Sequence, residues 1–587
     1  MSILIKTVRV FGLRGLQNIE VDLEKVTVLT GMNNTGKTSF LKALQIALGT
    51  TQFITSDDFY ISDSRSSDKI IVDVKIVPVG KDGVIRNDFD GNWEALFTVD
   101  RIMIDAEGKS FIPLRTIVTY DEIKAIYRSK RYILPDWPAF KTESSSWYQT
   151  KEGREKGFNY DEVPFFYMDA QRDILEDMKA RNSYLGKMVS KIKYSQEDVK
   201  EIERQIKKLN DQAVSSSPIL SNIKATLKEL DSTMDTASEG IEITPFTKKI
   251  RDLNKGLSIH YGDKKDSFPM EYHGMGTRSW SSLLTLKAFI NLLGKNAEDK
   301  QTPFFPILAI EEPEAHLHPN AQKKLYKQIE GVKGQKIIST HSPYIAASAE
   351  LSQIRNFYKD DVSVSCGAIS AGELTREDIR KIKRQVINTR GELFFSKAIV
   401  FSEGETEEQA LPIFAEHFFK KPLVEIGIDF VGVEGHGNYL PFLRIAEALK
   451  IPWFIFSDAE PDAKASVKKQ YAQCGCGKSE VDVIIFLVDG NNFEKQLISD
   501  GYNEEVRESI IKIELPKCQS PQHVKAKKGE IASYNDVKLC EIITDAKAQF
   551  GPVIAETIIE KEKPLPPKVT ELFERIKSLL ERRDKDE

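Results

Sequence analysis

At 587 residues the chain exceeds what one hydrophobic core organises, so two or three domains are expected. With 83 basic and 88 acidic side chains the formal net charge is -5, which excludes a global attraction to polyanions; any nucleic-acid surface must be a local, salt-sensitive patch. Five cysteines exclude an even disulfide framework, and Cys474-Gly475-Cys476 lacks a second pair for a zinc site, so reduced thiols are expected.

The N-terminus, MSILIKTVRVFGLRG, alternates like a strand and has no signal-peptide core. No apolar run approaches the ~18 residues a membrane span needs, so a soluble, cytoplasmic protein with no membrane partner is expected. Alternation over residues 3–11 and 19–23 and the apolar run 26–30 predict strands feeding a glycine loop. From Lys37 the spacing turns helical, with Phe40, Leu44, Ala47 and Leu48 on one face. Residues 69–120, rich in β-branched and aromatic side chains with Gly/Asp turns, predict antiparallel strands. Residues 175–230 are charged and helical, broken at 215–218, and predict a helical hairpin inserted into the first lobe. Its apolar Met188, Ile192, Val199, Ile202 and Ile206 suit a dimer-forming arm and a simple packed excursion equally. The first lobe resumes at Ile241 and closes near Leu351, where a strand at 336–339 precedes His341. A connector with the basic run 376–384 leads to a new α/β pattern, with buried parallel strands expected at 398–401, 430–433, 453–456 and 483–488. The tail ERRDKDE is expected to be disordered.

GMNNTGKT, residues 31–38, fits G-x-x-x-x-G-K-[ST] between a predicted strand and a predicted helix, the context this phosphate loop requires. The expected ATP contacts are Gly31, Asn34, Gly36, Lys37, Thr38 and Ser39, with Lys37 reaching the β/γ oxygens and the Thr38 hydroxyl on Mg2+. The strand at 307–310 ends in Glu311-Glu312, so one carboxylate is expected to hold magnesium through its shell and the other to polarise water. His341, after another apolar strand, is placed to contact the γ-phosphate.

A second set of acids lies downstream. Glu403 ends an apolar strand and Glu407 follows one turn later; Thr406 with Gln409 reads as a capping box that starts the helix. Asp458 and Glu460, with Asp462 beyond, end the strand WFIFS. Acids brought to neighbouring strand ends suit hard, oxygen-preferring cations, Mg2+ or Mn2+, able to clamp a phosphodiester. Glu405 and Glu408 read as solvated.

The order of Walker A, EEPEAHLHP (311–319) and STHSP (339–343) resembles the ABC-type ATPase head of the SMC/RecF/OLD group. GLRGL (12–16) is similar to that group's Asn-Phe-Arg-Gly-Ile, keeping Arg14. YHGMGTRS (272–279) sits where the family places its signature loop, ahead of an apolar helix from Leu283, which implies ATP contacts at Gly276 and Ser279, with Gly274 nearby, from the opposite protomer of a dimer. Gln171 or Arg172 in YMDAQRD takes the place of a magnesium-sensing residue. The second half resembles a Toprim domain, with Glu460 in place of the second Asp of Asp-x-Asp. An ABC head followed by Toprim is the arrangement of the OLD (overcoming lysogenization defect) nucleases. The resemblance implies an α/β chain: an ABC ATPase domain at 1–180 and 241–355, a helical insertion at 181–240, a connector at 356–390 and a Toprim nuclease domain at 391–587. It also implies metal ligands Glu403, Glu407, Asp458, Glu460 and Glu494, a late catalytic lysine at Lys563 with Lys561 as rival, and DNA as partner. Lys517, Lys525, Lys527 and Lys528 beside His523 form a basic cluster able to track a phosphate backbone or simply to be solvated. Homo-oligomerisation, a role in defence against phage or mobile DNA and a second defence component follow from the same resemblance. The alternative is an ATP-switched DNA-binding scaffold without nuclease chemistry.

Overall fold

The computed structural model describes residues 2–49, 54–62, 65–140, 147–150, 153–158, 160–179, 183, 187, 195–227, 260–263, 266–360, 363–369, 375–382 and 391–584. It divides into two compact units, one of residues 1–167, 307–312 and 335–587, the other of 168–306 and 313–334.

In the first unit, β1 (Ser2–Leu13) pairs antiparallel with β2 (Leu16–Asp22), and β3 (Val26–Gly31) leads into α1 (Lys37–Leu48). The predicted antiparallel lobe contains β4 (Lys69–Val79), β5 (Ser110–Asp121) and β6 (Ile126–Ile133) in one seven-stranded sheet with β1 and β2. A short helix, α2 (Gly91–Phe97), interrupts what the sequence suggested was all strand, because the Asp90 carboxylate caps it by accepting from the Trp93 amide and Trp93 and Phe97 are buried.

A six-stranded sheet carries the nucleotide loop. Its order is β7 (Phe165–Met168), β8 (Ile307–Glu311), β9 (Gln335–Ser339), β3, β10 (Ile354–Asp360) and β11 (Ser363–Ala368). β8, β9, β3 and β10 are parallel neighbours, so the phosphate loop after β3 and the acids after β8 emerge at one edge.

The C-terminal α/β region is built on four parallel strands, in the order β13 (Ile428–Gly432), β12 (Ala398–Ser402), β14 (Trp453–Ser457) and β15 (Ile484–Phe486). Helices α7 (Glu405–Phe419), α8 (Tyr439–Ala448), α9 (Pro461–Cys474), α10 (Phe493–Ser499), α11 (Asn503–Glu514) and α12 (Lys547–Glu560) accompany them. Phe414 of α7, Phe456 of β14 and Ile554 of α12 share one apolar core, which fixes α12 against α7. The last helix runs from Pro567 to Asp584 and so continues into the tail expected to be disordered.

The second unit contains the helices α3 (Gln196–Ser216) and α4 (Pro218–Leu227), the long α5 (Met275–Asp299) and α6 (Pro319–Glu330). Gln196–Ser216 and Pro218–Leu227 are helices broken at Ser217, as the sequence predicts; Val199, Ile202 and Ile206 are half-buried, whereas Met188, Ile192 and the expected resumption at Ile241 lie outside the described residues. The helix expected from Leu283 begins at Met275, eight residues earlier by number, because Gly274 supplies its extended N-cap. All five cysteines are free thiols. Among the described residues no helix is long and apolar enough to cross a membrane.

The antiparallel lobe holds a fully buried ion pair: Arg115 grips Asp73 with two 2.7 Å hydrogen bonds and donates to the Trp147 carbonyl. Removing one partner strands a charge in the core, so Asp73→Ala is expected to cost about 3–5 kcal/mol. Replacing both partners by Leu and Met should cost much less; urea unfolding of the three variants measures the difference.

Candidate nucleotide and carboxylate sites

At the edge of the six-stranded sheet, Gly31 has φ 131° and a Cβ there would stand 2.2 Å from the Phe357 carbonyl oxygen, so only glycine lets the loop leave β3 along β10. Asn34 and Gly36 also have positive φ, and Gly36 is the N-cap of α1. The Lys37 ammonium donates to the carbonyls of Gly31 at 2.8 Å and Met32 at 2.6 Å, holding the loop closed on itself. Ser39 is buried in the first turn of α1.

Glu311 is the last residue of β8. It accepts from the Thr38 hydroxyl through Oε1 and from the Tyr167 hydroxyl, at 2.6 Å, through Oε2. Tyr167 was not singled out by the sequence; one tyrosine in the short strand FFYM gives no signal. Glu312 adopts φ 40°, its amide donating to the Ser339 carbonyl at 3.0 Å, and its carboxylate faces His341 Nε2 at 3.7 Å. Burial first, then the Lys37 ammonium, pushes the His341 pKa down to about 4, so the imidazole is neutral at physiological pH. In the second unit, Gly276 and Ser279 lie inside the first turns of the Met275–Asp299 helix rather than in a loop, with the Ser279 side chain buried. Gln171 is exposed, and buried Arg172 donates to the Pro313 carbonyl at 2.6 Å.

The second site lies beyond the C-terminal ends of β12 and β14. Because Ser402 pairs in register with Phe456, Glu403 and Asp458 leave adjacent strand ends. α7 begins at Glu405 with Gly404 as N-cap. Thr406 therefore does not cap it: its hydroxyl is buried and donates to Glu494 Oε1 at 2.6 Å, which corrects the capping-box expectation. Glu407, on α7, and Glu494, on α10, are both almost fully buried. Each of Glu403, Glu407, Asp458 and Glu494 has one buried carboxylate oxygen without a hydrogen-bond donor. Burial together with the facing acids pushes Glu407 up to about 7 and Asp458 up to about 9, and burial also raises Glu403. The His436 amide donates to Glu403 and opposes that rise.

Lys547, the first residue of α12, stands 3.5 Å from Glu494 Oε1. Although burial favours its neutral form, Glu494, Glu407 and Asp458 together hold its pKa above the ordinary lysine value. Lys563 is elsewhere, 3.8 Å from buried Glu505, and Lys561 pairs with Glu508 at 2.5 Å, so the lysine that the fold brings to these acids is Lys547. Glu460 is half-exposed at the rim, 3.5 Å from Lys495, and still adds to the charge felt by Glu403. Tyr439, at the start of α8, is fully buried with its hydroxyl in the field of Glu403, Glu407 and Asp458. Glu405 is exposed and Glu408 half-buried.

Among the described residues no group of three acidic, His or Cys side chains stands arranged to hold a metal ion. The donor set nonetheless fits one: four carboxylates with orphaned buried oxygens face a single ammonium, and hard oxygen donors in excess of positive charge are what a divalent cation neutralises.

A family model described as an AAA ATPase domain matches residues 4–77 and 116–346, more than half of the chain. The chain belongs to that ATPase family. A model described as the Overcoming lysogenization defect protein-like Toprim domain matches residues 394–459, so the chain joins that ATPase domain to a Toprim-like domain. The chain is 25% identical over 296 residues to endonuclease GajA of Bacillus cereus (strain HuB5-5), covering 43% of itself and 42% of that protein. It is 21% identical over 490 residues to the Old nuclease of Escherichia phage P2, covering 78% of each, and 22% identical over 479 residues to the OLD nuclease of Thermus scotoductus, covering 78% of this chain and 82% of that one. The chain thus spans less than half of the GajA relative. The Toprim match ends at Asp458 and Ala459, before Glu494 and Lys547.

The raised carboxyls give a signed pH dependence. The folded protein keeps protons on Glu403, Glu407 and Asp458 that the unfolded chain, titrating near 4.5 and 3.8, has released. The cluster's contribution to stability without metal is therefore greatest in acid and is lost as pH rises from the unfolded values towards about 7 for Glu407 and about 9 for Asp458. Thermal unfolding in EDTA should show that slope, and Mn2+ should flatten it by neutralising the same carboxylates; an EDTA profile that rises across this range would contradict the assignment.

Proposed function

We propose that this protein is an ATP-hydrolysing, divalent-metal-dependent DNA endonuclease that works as a homodimer or higher homo-oligomer in defence against phage or mobile DNA, together with a second component. The observation that carries the reading is the buried convergence of Glu403, Glu407, Asp458 and Glu494 at the ends of parallel strands, with Lys547 among them. The nuclease names of the relatives point the same way.

In the ATPase half, Lys37 would exchange the Gly31 and Met32 carbonyls for phosphate oxygens, and Thr38 with Glu311 would hold Mg2+. Glu312 is the group that polarises the attacking water, and neutral His341 donates a hydrogen bond at the γ-phosphate without adding charge. Gly276 and Ser279, at the head of a long helix, are the proposed contacts to ATP on an opposite protomer.

In the Toprim half, Glu403, Glu407, Asp458 and Glu494, with Glu460 at the rim, would hold Mg2+ or Mn2+, which supplies Lewis acidity for phosphodiester hydrolysis when bound. Thr406 fixes the rotamer of Glu494. Tyr439, fully buried, stands beside these acids. Lys547 is the proposed cation next to the charge that builds on the scissile phosphate, in place of Lys563. DNA is proposed to run along α/β surface that includes exposed Lys525 and Lys528; Lys517 and Lys527 are already paired with Glu514 and Glu530.

Incubating the full chain with supercoiled DNA, with Mg2+, Mn2+ and ATP varied independently, tests this function. Metal-dependent nicking is expected from the wild type. Glu403→Ala and Asp458→Ala should reduce it to background while leaving ATP binding intact, and Lys37→Ala should do the reverse to ATP binding. Undiminished nicking by both acid variants would sink the endonuclease reading and favour an ATP-switched DNA-binding scaffold.

A further inference from the structure

The phosphate loop and the Toprim helix α8 meet at one side chain. Asn356 sits on β10 in register with Thr30, the last residue before the loop glycine Gly31. Its Oδ1 accepts from the Thr30 hydroxyl at 3.1 Å, and its Nδ2 donates to the carbonyl of Leu449, the C-cap of α8, at 2.9 Å. Both bonds are buried, where each is costly to lose.

The end of α8 is seated directly on the ATPase sheet. Gly367, opposite Asn356 on β11, has no room for a side chain: a Cβ there would lie 2.7 Å from the Ala448 carbonyl oxygen and 2.8 Å from Leu449 Cα. At its other end α8 begins with Tyr439, whose hydroxyl faces the acids. A helix of this length is a rod of about 15 Å, stiff enough to carry a shift from end to end. Along its flank lies an apolar cavity of about 20 Å³ lined by Ile382, Leu393, Phe394, Phe401, Phe442 and Ala446.

We propose that Asn356 couples the two sites: movement of Thr30 and Gly31 when phosphates enter the loop is passed through the Asn356 amide to the Leu449 carbonyl, and along α8 to Tyr439 beside the carboxylates. Asn356 touches neither ATP nor DNA and is a positioning residue. The inference rests on the proposed nuclease function for its effect on cleavage, but the mechanical link is independent of it. A chain of contacts becomes a coupling only when both ends bias it, so the test must read both ends.

Asn356→Leu keeps the volume and removes both bonds, and Thr30→Val removes only the bond to the loop strand. Plasmid nicking in Mn2+ is compared with and without ATP. In the wild type ATP is expected to change the rate, in either direction, by about 5-fold or more. In both variants that ratio should collapse towards one, while metal-dependent nicking without ATP and the affinity for ATP stay within about 2-fold. Hydrogen exchange supplies the second measurement. AMP-PNP should alter exchange at the amides of residues 445–449 in the wild type and not in Asn356→Leu. An unchanged ATP ratio in both variants, or no response of those amides to AMP-PNP in the wild type, overturns the coupling. If the wild type shows no nicking in any metal, the endonuclease function fails while the exchange result still decides whether Asn356 links the two halves.

Discussion

Like charges crowded out of water are the constraint around which the C-terminal half is organised. Burying one carboxylate disfavours its ionised form, and burying four beside each other compounds the effect, so the cluster survives only where protons, a lysine or an added cation offset the repulsion. The fold imposes this arrangement through ordinary means. Parallel strands place Glu403 and Asp458 at adjacent C-terminal ends, α7 turns Glu407 inward, and the Thr406 hydroxyl pins Glu494. The apolar core shared by α7, β14 and α12 stabilises the frame that holds these groups in place and delivers Lys547 to them.

The nucleotide site uses the same local device, an apolar strand ending in acid, with the opposite electrostatic outcome. Glu311 is met by two hydroxyls, from Thr38 and Tyr167, so both carboxylate oxygens are satisfied within the protein. The Toprim acids each keep one buried oxygen without a donor. A satisfied carboxylate is positioned and ready to orient a single ion together with phosphate, whereas unsatisfied carboxylates draw a cation in for its own sake.

The interface between the ATPase sheet and α8 carries a buried polar contact at position 356. An apolar residue at position 356 would leave the Leu449 carbonyl and the Thr30 hydroxyl without these bonds; asparagine, with a donor and an acceptor on one planar group, satisfies both. Glycine at 367 then allows the helix end to approach the backbone itself.

The sequence by itself determined the fold class, the parallel strands of the C-terminal half, and the order of strand, loop and acid in each half. Those features are local: a glycine loop needs particular residues at particular spacings, and a buried parallel strand must read as an apolar run. Glu403 and Asp458 were legible because each closes such a run. Tertiary structure alone decided which groups join them. Lys547 starts α12 and Lys563 lies just past its end, and the packing of α12 on α7 brings only the former to the acids. Thr406 and Gln409 satisfy a capping pattern in sequence, yet the hydroxyl is taken by Glu494, 88 residues away, because a buried carboxylate has more to gain from it than an exposed helix end does. Asn356 and Tyr439 carried no signal at all, since Leu449 and the acids they meet lie far from them in sequence or on other elements and come near only in the folded chain.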